Sequence, residues 1–285
     1  MEYSDIAAGM ASRITVDQER NFYDSAYAAH LHTPDHALII NRHSLQKELS
    51  DPGGLFYERR LLYGAVLRQL LSEQLAGRAI LDYGCGLGEW GVWMATEGAV
   101  VALVDLSPVA IEIGLRRAAA SGVANRVRGF AVDAANLNCF QDAEFDLIYA
   151  SAALHHTLKY SNALTELLRV LRPGGKLILA ETYGNNKALN WLRRLNWRLR
   201  KQAHEAGEDI ILSDSELDLL RRHFRRLSIT PMNLLAMSKR LFRGHFHSPL
   251  VRGAMQSLEL ADRALLTPVP WLRRYCGEVL VVAEK

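Results

Sequence analysis

The sequence predicts an α/β fold on a mostly parallel sheet, and three observations carry that prediction. The run Ile80-Leu81-Asp82-Tyr83 leads into Gly84-Cys85-Gly86-Leu87-Gly88, a buried strand followed by a turn whose glycines let the backbone approach a ligand. A second strand-like run, Val100 to Val104, ends at Asp105, 21 residues beyond Gly84, where a carboxylate can meet a ribose diol. Strand-like and helical patterns then alternate along the chain. Together these features mark a nucleoside-cofactor site.

Taken in order, residues 1–58 are too short for an independent core and are expected to form a helical cap. Between Arg59 and Leu75, the stripe Leu62, Ala65, Val66, Leu70 and Leu71 predicts a helix that backs the sheet and ends near Gly77. After the second strand, Ser107-Pro108 supplies a cap and a first-turn proline for a helix containing Ile111 and Leu115, closed by Gly122. The third strand, Val127 to Val132, ends at Asp133-Ala134, and the fourth, Phe145 to Ala150, runs into Ser151. Leu164, Leu167, Leu168 and Leu171 mark a short helix, stopped by Pro173-Gly174-Gly175 before a strand from Lys176 to Ala180. Ser213 and Glu216 make a capping box ahead of Leu217, Leu220 and Phe224, and Leu227 to Thr230 and Gly277 to Ala283 read as the last strands. Residues 183–212 and 235–275 fall outside the alternation and are expected to be insertions that cover the active site.

The composition, 49% hydrophobic and 23% charged over 285 residues, supports a full core and excludes disorder. Cys85, Cys139 and Cys276 lie far apart without a CxxC pair, which argues against a disulfide framework or a zinc site and fits a reducing compartment. Met1 to Met10 carries Glu2 and Asp5 and no apolar core, and no run of eighteen apolar residues occurs, so a cytoplasmic protein is expected. Residues 1–185 hold 16 Lys/Arg against 21 Asp/Glu, whereas 186–285 hold 18 against 10. The basic second part suits an anionic substrate, a membrane surface or a nucleic acid, or is simply a solvated face.

A dinucleotide turn needs a third glycine where this chain has Glu89, and a carboxylate there repels a pyrophosphate. The spacing GxGxG, with Asp82 two residues upstream, suits a cofactor that carries cationic ammonium and sulfonium groups. On these residues the stretch from about Arg78 to Glu181 resembles the core of the class I, Rossmann-like S-adenosylmethionine (SAM) dependent methyltransferases that act on small molecules. The resemblance implies a doubly wound seven-stranded, mostly parallel sheet, with an antiparallel end, spanning residues 59–285. It implies that Gly84, Gly86 and Gly88 hug the methionyl and ribose parts, that Asp82 receives the ammonium, and that Asp105 accepts from both ribose hydroxyls. Leu106 would cover an adenine face, Asp133 would accept from the adenine amine, and the backbone of Ala134 would meet a ring nitrogen. Ser151 would hold the ammonium through its carbonyl. The stretch Asn21 to Tyr27 resembles the aromatic helix with which relatives close over the cofactor, and Tyr23 is the phenol assigned to it.

Ala153-Leu154-His155-His156 resembles a family segment beside the methyl-accepting side. His156, ahead of His155, is the candidate base, because an imidazole with a pKa of about 6.5 takes a hydroxyl proton near neutral pH. Proximity alone remains the other reading. His30, His32, His36 and His43 lack the spacing of a metal site, and no metal is expected. Residues 188–201 read as a basic amphipathic helix with Trp191 and Trp197, suited to peripheral membrane contact or a pocket wall, or to a lid with solvated charges. Lys239, Arg240, Arg243, His245 and His247 add cations in the second insertion. The expected reaction is SN2 transfer of a methyl group from SAM, leaving S-adenosyl-L-homocysteine, to an O, N or C nucleophile of an apolar or anionic small molecule. The alternatives are a membrane-associated lipid or quinone methyltransferase, an RNA or protein methyltransferase, and a non-catalytic SAM-binding protein. Nothing points to DNA. A nucleic-acid acceptor lacks the Asn/Asp-Pro-Pro-aromatic segment, since that place reads Ser151-Ala152-Ala153-Leu154.

Overall fold

The computed structural model describes residues 15–157, 162–191 and 212–285, without the side chain of His156. Its strands are β1 (Ala79–Tyr83), β2 (Val100–Asp105), β3 (Val127–Ala131), β4 (Phe145–Ser151), β5 (Leu171–Thr182), β6 (Arg226–Met232) and β7 (Glu278–Glu284). They form one seven-stranded sheet in the order β3-β2-β1-β4-β5-β7-β6. The first five pair in parallel, and β7 lies antiparallel between β5 and β6.

Both faces of the sheet are covered, which is why the central strands are apolar without alternation. On one face, Leu62, Val66 and Leu70 of helix Arg60–Ser72 and Trp90 and Trp93 of helix Glu89–Thr96 pack with Ile80, Val101, Leu103, Leu147 and Tyr149. On the other, Leu164, Leu167 and Val170 of helix Ala163–Val170 and Leu217 and Leu220 of helix Asp214–His223 pack with Leu81, Val104, Ile148, Leu177 and Leu179. The winding on two faces is the one the sequence predicts.

The expected caps are present. The Ser107 hydroxyl accepts from the Ala110 N–H at 3.1 Å at the start of helix Pro108–Ala120, and Ser213 and Glu216 cap each other's ends of the first turn at helix Asp214–His223. Strand ends shift by one or two residues from expectation elsewhere, but the start of β5 differs by more. β5 starts at Leu171 rather than Lys176, because Leu171 pairs with Phe145 and the ladder resumes only at Lys176 with Leu147. Pro173-Gly174-Gly175 is thus an interruption within the strand, in which the Gly174 N–H donates to the Lys285 carbonyl and the Lys285 N–H to the Gly175 carbonyl.

The N-terminal segment is helical over Val16–Tyr27 and Ser44–Ser50, with shorter turns between. Arg116 of helix Pro108–Ala120 anchors it, donating to the Leu31 and Thr33 carbonyls and pairing with Asp35 at 2.7 Å. The second insertion contains a 3-10 turn, Leu235–Phe242, and helix Pro249–Leu266. The ends of the first insertion meet in a bridge between Tyr183 and Leu212.

The topology brings polar strand ends to one edge. β1 to β5 terminate there, and because β7 runs backwards its first residue, Glu278, pairs with Thr182 and with Met232 at the end of β6. The β1-β2-β3 half of this edge carries Asp82, Gly84, Asp105 and Asp133, and the β4-β5-β7-β6 half carries Ser151, Glu181, Glu278 and Asn233. In open parallel sheets a ligand crevice lies at this edge, where strand order reverses.

Candidate active site

The glycine turn after β1 is built from backbone that side chains resist. Gly84, Gly86 and Gly88 have φ of 67°, 53° and 78°. A Cβ on Gly84 would also lie 2.3 Å from the Ala153 Cβ, so the turn depends on the loop after β4. Asp105 holds the turn from β2: its Oδ2 accepts from the Gly86 N–H at 2.8 Å, and its Oδ1 from the Ser107 N–H at 3.0 Å. Burial raises the Asp105 pKa against these hydrogen bonds. Leu106 follows, half-buried.

Asp82 lies under the turn, 2% exposed, and its Oδ2 has no hydrogen-bond partner. Burial pushes its pKa up to about 8, with the charges of Glu89 and Asp105 adding to the rise and the Gly91 N–H opposing it. A buried acid with one open oxygen suits a cationic ligand group, whose charge would offset the cost of ionising it. Glu89, read from the sequence as a barrier to pyrophosphate, is held by Arg117, whose Nη2 donates to Glu89 at 2.8 Å while its Nε donates to the Leu87 carbonyl at 2.9 Å.

After β3, Asp133 accepts from the Ala135 N–H at 2.8 Å, and Ala134 is buried. That bond is an Asx turn, so part of this carboxylate serves its own loop. Over the glycine turn lies helix Val16–Tyr27. Asp24 accepts from the Ser107 hydroxyl, and the Tyr27 hydroxyl is 3.5 Å from where a Gly86 Cβ would sit. Tyr23 stacks on Tyr27 at 5.9 Å between ring centroids. A phenol thus lies beside the turn, that of Tyr27, one helical turn beyond Tyr23, the residue the sequence singled out. The spacing of four between the two tyrosines puts both on one face, and only the seating of the helix separates them.

At the end of β4, the Ser151 and Tyr63 hydroxyls are 3.1 Å apart. The loop then enters a short turn, Leu154–Thr157, after Ala152 takes φ of 52°. His155 Nδ1 lies 2.8 Å from Oε2 of Glu181, which is fully buried. The other oxygen of Glu181 accepts from the Ala153 and Leu154 N–H groups at 3.2 and 3.0 Å. Burial opposes the charge of Glu181, but His155 and Arg59 outweigh it and lower its pKa. The His156 side chain, preferred from the sequence, lies outside the described residues, so His155 is the histidine with a described setting.

Sequence reasoning missed Glu181, Tyr63, Arg59 and Glu278. Arg59 Nε donates to Glu278 at 3.0 Å and its Nη1 to the Tyr63 hydroxyl at 3.3 Å. Glu278 also accepts from Lys239 at 2.9 Å and from Asn233. Glu181 had a usable signal, an acid ending a buried apolar run as Asp105 does. Arg59 and Tyr63 had none, because on a helical stripe they read as a flank and a core ring. Two of the cations noted in the second insertion are in ion pairs, Lys239 with Glu278 and Arg243 with Glu58.

Of the basic stretch 188–201, residues 192–201 lie outside the described residues, and the described part ends in exposed Trp191. Among the described residues, no three His, Cys, Asp or Glu side chains gather as a metal site, and no helix is long and apolar enough to cross a membrane.

Residues 80–175 match the model of a methyltransferase domain. The chain is 34% identical over 122 residues to methyltransferase GfsG of Streptomyces halstedii, an alignment covering 41% of this chain and 44% of that protein. It is 37% identical over 107 residues to a demethylmenaquinone methyltransferase of Clavibacter sepedonicus, covering 38% and 42%. The chain thus spans less than half the length of these two curated relatives. Among solved structures, a geranyl diphosphate C-methyltransferase from Streptomyces coelicolor A3(2), in complex with Mg2+, geranyl diphosphate and S-adenosyl-L-homocysteine, superposes with a TM-score of 0.57 at 18% identity, covering 96% of this chain and 99% of that one. A phosphoethanolamine N-methyltransferase 2 from Haemonchus contortus, in complex with S-adenosyl-L-methionine, gives 0.55 at 17% identity over 94% and 60%. These likenesses concern the fold.

Proposed function

We propose that this chain, whose residues 80–175 match a methyltransferase domain, is a class I S-adenosylmethionine-dependent methyltransferase that moves a methyl group from SAM to an O, N or C nucleophile of a small molecule. The observation that carries the reading is the buried, unpartnered Asp82 oxygen beneath a glycine turn that Asp105 holds. Those residues fit SAM: Asp82 would receive the ammonium, and Asp105, with lone pairs beyond its two backbone bonds, would accept from the ribose. Leu106, Asp133 and Ala134 would meet the adenine, Ser151 would offer its carbonyl, and Tyr27 with Tyr23 would close the cofactor from above.

When bound, SAM supplies a methyl carbon made electrophilic by its sulfonium. The chain's own task is to align an acceptor with that carbon in a dry site, which lowers the barrier by up to roughly 7–11 kcal/mol in well-oriented systems. Where the acceptor is a hydroxyl, His155 takes its proton through Nε2, because Glu181 engages Nδ1 and stabilises the imidazolium that forms. Glu181 is thus a positioning residue for His155.

The test is incubation with SAM carrying a labelled methyl group and a cell extract, with label followed into small-molecule, RNA and protein fractions. Label among small molecules is the expected result. Label confined to RNA or protein would overturn the reading.

A further inference from the structure

Around Glu278, positive charge exceeds negative charge in a largely buried place. Arg59, Lys239 and Arg240 act electrostatically on this one carboxylate, whose pKa is lowered to about 2 against its burial, by Lys239 and Arg59 above all. The other acids nearby are engaged elsewhere: Glu58 pairs with Arg243, Glu259 with Arg60 and Glu181 with His155, while Asp262 accepts the N–H groups of Leu234, Leu235 and Ala236. Two donors stay without a hydrogen-bond partner although buried, Arg59 Nη2 and Arg240 Nε. Leaving such a donor unpaired costs on the order of 1–3 kcal/mol, more where it is charged, so a fold that keeps two of them on guanidinium groups whose charges act on each other requires an explanation.

The place itself supplies one. Arg59 reaches Tyr63, whose hydroxyl meets Ser151 at the end of β4, and its charge is felt by Glu181 behind His155. The guanidinium therefore sits in the β4-β5-β7 half of the sheet edge, near His155 and Glu181, the pair proposed to serve the acceptor, and next to Ser151 at the border with the cofactor residues. We infer that the methyl acceptor carries an anionic group, a carboxylate or a phosphoryl, that docks on Arg59 and Arg240, with Lys239 adding charge behind them. With Arg59 Nε and Nη1 engaged by Glu278 and Tyr63, the unpartnered buried donors are Nη2 of Arg59 and Nε of Arg240, and a charge-assisted hydrogen bond to an anion would satisfy each. The inference rests on the methyltransferase reading for its acceptor, but the anion site is testable without turnover.

The experiment titrates phosphate, pyrophosphate and succinate into the full chain saturated with S-adenosylhomocysteine, against chloride at matched ionic strength, and reads the thermal unfolding midpoint. At least one anion is expected to raise the midpoint above the chloride control. The half-saturating concentration should rise about tenfold or more in Arg59→Gln and in Arg240→Gln, while the shift produced by S-adenosylhomocysteine persists in both variants. Arg240→Gln removes no hydrogen bond of Glu278, so it keeps the test valid should Arg59→Gln fold poorly. No anion-specific shift, or one that survives both substitutions, overturns the inference. Absence of a shift with S-adenosylhomocysteine alone would instead count against the methyltransferase reading.

Discussion

In the proposed site, Asp82 is a residue that would trade stability for binding. In the empty protein it holds its proton up to about pH 8, against an ordinary value of 3.8. Between those values the folded chain keeps a proton that the unfolded chain has released, so this group's contribution to stability falls as pH rises from about 4 to about 8. Asp82→Asn is therefore expected to raise the unfolding midpoint of the empty protein at pH 8, to change it little near pH 4, and to weaken S-adenosylhomocysteine by about tenfold or more. Thermal unfolding at both pH values, with and without the ligand, checks all three. Glu278 has the opposite sign: held at about 2 rather than 4.5, it contributes stability that is lost as pH falls through that interval. The two acids also mark what the sequence could reveal. Asp82 stands next to last in a buried strand, two residues before a glycine turn, and was legible as a candidate, whereas Glu278 acquires its meaning through Arg59, 219 residues away, and Lys239.

Among the elements, helix Val16–Tyr27 is the one whose order should depend on ligand. It buries only Glu19, and its hold on the domain includes Asp24 at Ser107 and Tyr27 near Gly86. With so little apolar burial, its local opening should cost little in the empty chain. Its amide hydrogen exchange is expected to slow by about tenfold or more when S-adenosylhomocysteine binds, and equal exchange in both states would show that it does not close on the cofactor. The strands were readable because buried parallel strands are short apolar runs, and the caps at Ser107 and Ser213 because their chemistry is local. The start of β5 was not readable: Pro173-Gly174-Gly175 carries the signal of a loop, and its bonds to Lys285, a residue far along the chain, help keep it beside the sheet. Tyr27 was likewise in view yet not distinguishable from Tyr23, since both share a helix face.

For the molecule as a whole, the switch in strand order between β1 and β4 divides the sheet edge into the half proposed mainly for the cofactor and the half proposed mainly for the acceptor, with Ser151 of β4 at their border. The sequence disclosed the first, whose residues follow their strands at fixed spacing, and hid the second, which draws on Arg59, Tyr63, Glu181 and Lys239 from four separate elements. The basic excess after residue 186 is met in part by an earlier acid, Glu58, which pairs with Arg243, whereas Arg221 with Asp218, Lys239 with Glu278 and Arg274 with Asp214 are pairs within that part and leave its excess unchanged. Isothermal titration calorimetry with S-adenosylhomocysteine, on the unaltered chain and on Asp105→Ala, tests the central claim most directly. One site per chain, with affinity reduced about tenfold or more in the variant, is the predicted result. No binding to the unaltered chain, or equal affinity in the two, would contradict the assignment of the glycine turn and Asp105 to the cofactor.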